Sequence, residues 1–293
     1  MPAGRAVPLP APVDSSASLA PAAGGRIWVA DAGGLALLDT ASRTAPERVE
    51  LGVPGPARVV GADTAAVYVV VGGQLLAVLP DSARVRARRS GVGESGFAPD
   101  PRAGGGYVAT GNGGVLGVGA GSLLPLWSWP ERGPAGTALA VSPLGDRVYQ
   151  ALGGDEPRIL TRDAQTGRIL AQTPVAGEVG ALEAGPDGTL YALMGGGRGA
   201  AVAALRPVPD GLEVRWDRPL RRMELGDSAR LTVSPAGGRL ALVERREGGT
   251  LRVLDARTGE VMAGERGVLD ADWGPDGALL LLTPGAVRVV GPR

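Results

Sequence analysis

The sequence predicts an all-β fold, a β-propeller of seven four-stranded blades. Three observations support this prediction. Short apolar runs alternate with glycine- and proline-rich turns along the whole chain, one turn motif recurs, and the repeat has a period near 40 residues. Short strands joined by tight turns indicate an all-β protein, and a period near 40 with several strands per unit is typical of propellers. The 293 residues are therefore assigned to one domain.

The recurring turn has the pattern Ser/Gly-Pro-x-Gly between two apolar runs. Proline suits the second position of a type I turn because its φ is already fixed, and the closing glycine accepts a positive φ. We predict that each copy joins the innermost strand of a blade to the second strand. Four copies occur, at 142–145, 185–188, 234–237 and 274–277.

Aromatic residues mark the second predicted strand of most repeats. Five of the seven equivalent positions are aromatic, although the chain holds only five Trp, four Tyr and one Phe. Their spacing is 39 to 42 residues, except for 50 between the fifth and sixth positions. The positions are Trp28, Tyr68, Tyr107, Tyr149, Tyr191, Ala241 and Leu280.

A second motif, Asp-Ala-x-Thr-Gly, occurs at 163–167 and 255–259. The Asp carboxylate can cap the turn and the glycine can take the left-handed position, so we predict a hairpin between the third and fourth strands. The last repeat ends after its third strand. We therefore expect residues 1–13 to supply its outer strand and to close the ring, which removes an open sheet edge. The predicted blades span 14–53, 54–93, 94–134, 135–177, 178–226, 227–267 and 268–293.

These turn motifs resemble those of bacterial seven-bladed propellers of the YVTN, WD40-like and quinoprotein-like repeat group. The resemblance covers the whole chain and implies a seven-bladed ring. The Gly-His and Trp-Asp dipeptides of true WD40 repeats are absent, and Leu170 and Met262 stand where quinoprotein repeats have the Trp that follows Thr-Gly. We therefore expect no pyrroloquinoline and no other cofactor.

The composition excludes several kinds of chemistry. Without Cys, His or Lys, the chain has no disulfide, no Cys/His zinc site, no histidine base and no Schiff-base lysine. Thirty Arg balance thirty acidic residues, so net charge does not indicate nucleic-acid binding. No apolar run reaches the roughly 20 residues of a membrane helix, and no signal segment is visible. We expect a soluble monomer with a protein partner, in the cytoplasm or the cell envelope.

The candidate binding residues lie mainly in loops between second and third strands and in the long fifth repeat. Loops on a rigid scaffold commonly carry function. The fifth repeat also brings a Trp and several Arg, which are enriched at interfaces, and we expect its arginines to lie in the connection to the next blade. We predict a non-catalytic scaffold that binds a protein or an extended ligand through one loop face. The candidates are Asp155, Glu156, Arg198, Trp216, Arg218, Arg221, Arg222, Glu244, Arg245 and Arg246.

A propeller enzyme, a hydrolase or a lyase, is the alternative. Glu183 and Asp272 each stand three residues before a turn proline and could reach the central channel. Paired carboxylates can perform acid–base chemistry. Asp270, Asp272 and Asp276 also form an oxygen-rich segment, but their spacing departs from that of calcium-binding EF-hand loops. We expect no metal there.

Overall fold

The computed structural model shows seven four-stranded antiparallel sheets arranged as blades in a ring. The prediction of an all-β, seven-bladed propeller is confirmed. The described part of the chain contains a 3-10 turn, Ala23–Gly25, and no helix there is long and apolar enough to cross a membrane. The described residues are 4–41, 47–82, 84–110, 113–129, 136–196, 199–220, 229–245 and 248–291.

The strands of each blade run from the channel to the rim in chain order, except that β1 (Arg5–Pro8) belongs to the last blade. Blade 1 contains β2 (Ser18–Pro21), β3 (Arg26–Asp31), β4 (Gly34–Asp39) and β5 (Glu47–Val49). Blade 2 contains β6 (Ala57–Ala62), β7 (Val67–Val71), β8 (Gln74–Leu79) and β9 (Arg84–Ser90). Blade 3 contains β10 (Val92–Pro99), β11 (Gly106–Thr110), β12 (Val115–Val118) and β13 (Pro125–Trp129).

The remaining blades follow the same order. Blade 4 contains β14 (Gly136–Val141), β15 (Arg147–Leu152), β16 (Arg158–Asp163) and β17 (Ile169–Pro174). Blade 5 contains β18 (Glu178–Ala184), β19 (Leu190–Gly196), β20 (Gly199–Val208) and β21 (Gly211–Leu220). Blade 6 contains β22 (Ala229–Val233), β23 (Arg239–Glu244), β24 (Thr250–Asp255) and β25 (Val261–Arg266). Blade 7 contains β26 (Asp270–Trp273), β27 (Leu279–Thr283), β28 (Ala286–Val290) and β1.

Blade 7 is built from both ends of the described chain. β1 pairs antiparallel with β28, with Arg5 opposite Val289 and Pro8 opposite Ala286. The N-terminal strand thus covers the outer edge of β28, which would otherwise be open to pairing with another chain. On the channel side, β26 lies beside β2 of blade 1, so that the seven blades form a continuous ring.

Because neighbouring strands are antiparallel, the two ends of the ring carry different connections. The turns between first and second strands and between third and fourth strands lie at one end, which we call the turn face; all other connections lie at the loop face. In the four Pro-containing turns the closing glycine donates its N–H to the first residue's carbonyl at 2.7 to 2.9 Å. Those glycines have φ between +61° and +82°, as the sequence predicts.

The hydrophobic core lies mainly between neighbouring blades. The seven repeat positions, from Trp28 to Leu280, are all on second strands and are at most 5% exposed. Their side chains belong to clusters that join one blade to the next, such as Trp28 with Val69 of blade 2. The period near 40 residues in the sequence is therefore the period of the inter-blade core.

Two of the repeat tyrosines form a specific contact with the following blade, which we call the inter-blade staple. In blade 3, the Tyr107 hydroxyl and the Trp127 Nε1–H both donate to the Ala164 carbonyl, at 3.3 and 3.2 Å. Ala164 belongs to the Asp-Ala-x-Thr-Gly turn of blade 4. The two rings pack against each other with centroids 5.8 Å apart.

The second staple joins blades 5 and 6 in the same way. Tyr191 and Trp216 donate to the Ala256 carbonyl at 3.2 and 3.3 Å, within the other Asp-Ala-x-Thr-Gly turn. A methyl group on Gly259 of this turn would lie 2.6 Å from the Trp216 ring. The turn motif therefore serves two purposes: it closes a hairpin, and its glycine leaves room for the tryptophan of the preceding blade.

Replacing Gly259 with Ala should destabilise the protein more than the same change at Gly277. Both glycines have positive φ, +71° and +79°, so both substitutions carry a left-handed backbone penalty of roughly 1 kcal/mol. Only Gly259→Ala also forces a methyl group against Arg218 Cγ and the Trp216 ring, at 2.5 and 2.6 Å, since Gly277 has nothing within 4 Å of the added carbon. We expect an additional loss of about 1 to 3 kcal/mol in the free energy of unfolding, measured by chemical denaturation. Equal losses in the two variants would contradict the staple.

Candidate functional site

The inner strands of blades 2 to 6 line a cavity of about 460 Å³ in the central channel, which opens on the turn face. We call this opening the channel mouth. Its walls are mostly small and apolar, and its border is formed by turn prolines. Three charged side chains line it: Arg58 of β6, Glu183 of β18 and Arg230 of β22. The bordering prolines are Pro101, Pro143, Pro186 and Pro235.

Arg230 holds two carboxylates of the neighbouring blade. Its Nη1 lies 2.6 Å from Asp270 Oδ2, and its Nη2 lies 2.5 Å from Asp272 Oδ2. Nη1 also donates to the Leu19 carbonyl of blade 1 at 2.8 Å. Asp270 and Asp272 are two residues apart on β26, so both side chains point to the same side of the strand. One guanidinium thus connects blades 6, 7 and 1.

Asp270 is the most enclosed group of this set, with no solvent exposure. Its Oδ2 accepts the Leu19 N–H at 2.9 Å, and its Oδ1 lies 3.0 Å from Nη2 of Arg245. Burial by itself would raise the pKa of Asp270, but Arg230, Arg245 and the Leu19 amide outweigh burial and hold that pKa below its usual value. We call Arg230, Arg245, Asp270 and Asp272 the ring clasp.

Glu183 lies beside the ring clasp but outside it. The side chain is half-buried, and it forms no hydrogen bond or ion pair with any described residue. Burial raises the pKa of Glu183 to about 8; the Asp272 carboxylate adds to the increase, and Arg230 opposes it. Burial also raises the pKa of Asp272 despite its contact with Arg230. At neutral pH, Glu183 is therefore mostly protonated.

The sequence placed Glu183 and Asp272 at the channel, and the structure brings them into one electrostatic group. The missing member of that prediction was Arg230. The sequence does indicate this role of Arg230, because Arg230 and Asp270 occupy equivalent positions in their repeats. Each stands five residues before a turn proline, Pro235 and Pro275 respectively. Equivalent positions on inner strands of adjacent blades face each other, so an Arg and an Asp in this register indicate an inter-blade ion pair.

The loop-face candidates have different environments. Asp155 and Glu156 are exposed in the loop between β15 and β16, and Glu244 ends β23 half-buried. Four further candidates, Arg198, Arg221, Arg222 and Arg246, lie outside the described residues.

Two expectations about the arginines are wrong. Arg245 does follow β23 in a loop, but it is 5% exposed and turns inward, because the buried Asp270 carboxylate needs a counter-charge. Arg218 lies within β21 and not in the connection to blade 6. The extra residues of the fifth repeat lengthen β20 and β21 to ten residues each. Arg218 Nε donates to the Thr258 carbonyl at 2.9 Å beside the Trp216 staple, which gives both residues a structural contact.

A second cavity, of about 610 Å³, lies on the turn face between blades 3 and 4. Part of its lining comes from the outer hairpin of blade 3, with Gly117, Leu126 and Trp127. Another part comes from the inner turns of blades 3 and 4, with Asp100, Arg102, Ala103, Gly104 and Gly145. The Arg102 Nη1 donates to the Leu144 carbonyl at 2.7 Å and so links the inner turns of the two blades.

Three exposed leucines lie on the turn face of blades 3 and 4, where this second cavity opens. Leu124 and Leu126 are 66% and 69% exposed at the β12–β13 turn, and Leu144 is 67% exposed in the β14–β15 turn. Leu126 lines the cavity directly, and Leu144 adjoins its lining residue Gly145. We call this surface, formed by Arg102, Leu124, Leu126, Trp127 and Leu144, the leucine groove.

The aspartates of the 270–276 segment bind protein groups: two share Arg230, and the third caps its own turn. Asp270 and Asp272 are bound to Arg230, while Asp276 Oδ1 accepts the Ala278 N–H at 3.1 Å within its own turn. In the part of the chain that the structure describes, no three acidic side chains converge as metal ligands would.

Comparison with protein-family models and with curated proteins gave no match. The resemblance to the YVTN, WD40-like and quinoprotein-like repeat group accordingly rests on the turn motifs and on the architecture that they produce.

Replacing Arg230 with Met should lower the free energy of unfolding by about 3 to 5 kcal/mol, because Asp270 and Asp272 would lose the guanidinium that they share. Arg257→Met is the matched control, since Arg257 is exposed in a turn of the same blade, and there we expect a change within about 0.5 kcal/mol. Chemical denaturation at pH 7 measures both. A loss for Arg230→Met no larger than for the control would show that the clasp does not stabilise the ring.

The stability of the protein should depend on pH through Glu183. Its pKa rises from the ordinary 4.5 to about 8 on folding, so the folded state keeps this proton between those pH values and the unfolded state does not. The wild type therefore loses stability relative to Glu183→Gln as pH rises from 4.5 to 8, by at most about 1.4 kcal/mol per pH unit. The free energies of unfolding of the wild type and of Glu183→Gln, measured by chemical denaturation from pH 4.5 to pH 8, test this prediction. A flat difference between the wild type and Glu183→Gln across this range would refute the assignment.

Proposed function

We propose that the protein is a non-catalytic propeller that binds an extended segment of a partner protein in the leucine groove. The observation that carries this proposal is the presence of three leucines, each about two-thirds exposed, on the turn face of blades 3 and 4, where Leu126 lines the cavity. Single exposed leucines are ordinary on protein surfaces, but a contiguous apolar patch around a groove is typical of a protein interaction site.

The position of the leucines favours an extended ligand. Leu124 and Leu126 lie at the outer hairpin of blade 3, near the rim, whereas Leu144 lies in the inner turn of blade 4, near the channel. The groove therefore runs radially between two blades. A bound stretch of chain would contact Leu124 and Leu126 at one end and Leu144 at the other.

The floor of the groove favours apolar recognition. The donors of Trp127 and Tyr107 are already bound to the Ala164 carbonyl, and one Nη of Arg102 is bound to the Leu144 carbonyl. A ligand therefore gains most from burying its apolar side chains against the leucines and the tryptophan ring. Aromatic and apolar anchors of this kind carry most of the binding energy at protein interfaces.

The enzyme alternative depends on the channel carboxylates. Glu183 has the raised pKa of a general acid, but its nearest carboxylate, Asp272, is bound to Arg230 together with Asp270. Acid–base catalysis by two carboxylates needs both to be available to the substrate. We therefore favour binding over a hydrolase or lyase reaction.

A triple variant, Leu124→Ser/Leu126→Ser/Leu144→Ser, tests the proposal in affinity purification from the native cell extract. The melting temperature should change little, because all three side chains are exposed in the free protein. A partner retained by the wild type should bind at least tenfold more weakly to the variant, corresponding to a loss of about 1.4 kcal/mol or more. The affinity of the purified partner is then measured by calorimetry.

Val261→Ser/Met262→Ser is the matched control, because both residues are 57% exposed on the outer strand of blade 6, away from the groove. It should bind like the wild type. Equal binding by the leucine-groove variant and the wild type would contradict the proposal. A concentration-dependent dimer of the wild type that the triple variant lacks would contradict it as well, since a second copy of the chain would then occupy the groove.

A further inference from the structure

The channel mouth holds a carboxylate, Glu183, that forms no ion pair with any residue in the described part of the chain. The charged residues around Glu183 are Asp272 of β26 and Arg230 of β22, and Arg58 of β6 lines the cavity from the other side of the ring. The residues of β14, packed on the other side of β18, are apolar where they line the cavity. Arg230 is bound by Asp270 and Asp272, and Arg58 is engaged in an interaction of its own.

The local charges are one cation short. The ring clasp together with Glu183 contains three carboxylates and two guanidinium groups. When Glu183 ionises, the group carries one excess negative charge at the half-buried wall of the channel. An unpaired buried charge is unfavourable, and a bound cation is the simplest way to offset it.

The shape and walls of the cavity indicate the kind of cation. A volume of about 460 Å³ lies within the range of small-molecule sites. One available carboxylate is too few for a calcium or magnesium ion, which takes six or more oxygen ligands. The walls near Glu183 are apolar, for example Ala140, Ala181 and Leu231, and would contact the hydrocarbon part of an organic ligand.

We propose that the channel mouth is a binding site for one organic cation, a guanidinium or ammonium group on an apolar stem, with Glu183 as its counter-ion. The inference does not rest on the partner-protein proposal, because the channel mouth and the leucine groove are separate cavities. Two sources share this chemistry: a free alkyl cation, and an arginine or lysine side chain of another protein.

Binding of the cation must displace the proton of Glu183. The carboxylate is about one-tenth ionised at pH 7 and about nine-tenths ionised at pH 9, since its pKa is about 8. A ligand that requires the ionised form therefore binds roughly tenfold more tightly at pH 9 than at pH 7. At pH 7, each binding event should release about one proton, which calorimetry in buffers of different ionisation enthalpy detects.

The probe is n-butylguanidinium, which stays charged over this pH range as arginine does. Its neutral isostere, n-butylurea, is the ligand control. Calorimetry should show that the cation binds roughly tenfold more tightly at pH 9 than at pH 7, and that its binding at pH 7 releases about one proton. The urea should not bind at either pH. Glu183→Gln should abolish binding, whereas Glu178→Gln, the exposed change on the same strand, should bind like the wild type. The melting temperature of each variant shows that it is folded.

A blocked pentapeptide with one central arginine distinguishes the two sources. If the peptide binds at least tenfold more tightly than n-butylguanidinium, the site is assigned to a side chain of another protein. If the peptide binds equally or more weakly, the site is assigned to a free cation. Either result supports the cation site. Failure of both probes to bind, equal binding of the urea, or unchanged binding to folded Glu183→Gln overturns the inference. None of these results depends on the leucine groove, so the two proposals can fail independently.

Discussion

The structure depends on the ionised carboxylate of Asp270, which has no contact with solvent. A buried charge of this kind is tolerated only when it is paired and hydrogen-bonded. Arg230 and Arg245 of blade 6 and the Leu19 amide of blade 1 meet this requirement. The inner strands of blades 6, 7 and 1 must therefore lie in one fixed register. These are also the blades at which the two ends of the described chain join, through β1 and β28.

The same clasp determines what the channel can offer to a ligand. Arg230 is bound by Asp270 and Asp272, so the neighbouring Glu183 has no ion pair with any described residue. Burial, with the Asp272 carboxylate beside it, raises the pKa of Glu183. The charged groups thus lie on the side of the ring where the clasp closes it. The leucine groove lies on the same turn face at blades 3 and 4 and is mainly apolar. The turn face therefore presents two chemically different surfaces, one for a cation and one for apolar side chains.

The sequence predicts the fold well because each blade is defined by local signals. In four blades a proline with fixed φ and a glycine with positive φ determine a turn from four residues, and in five blades an aromatic residue on the second strand marks the repeat. The sites are harder to predict, because they depend on contacts across blades. The pairing of Arg230 with Asp270 joins residues 40 positions apart. Leu126 is exposed because a bulge lies between Pro125 and Trp127 in β13, which changes the alternation of side chains. Arg218 was misplaced because β20 and β21 extend to ten residues each, so that β21 continues past Arg218 to Leu220.

The hydrogen exchange of the Leu19 amide tests the central role of Asp270 most directly, because this N–H donates to Asp270 Oδ2 at 2.9 Å where blades 7 and 1 meet. If the clasp ties the ring together, the amide can exchange only when the whole ring opens. Its exchange free energy in native conditions should then equal the global free energy of unfolding and should fall with it as denaturant is added. An exchange free energy well below the global value, with little dependence on denaturant, would show that blades 7 and 1 separate locally, and would contradict the account.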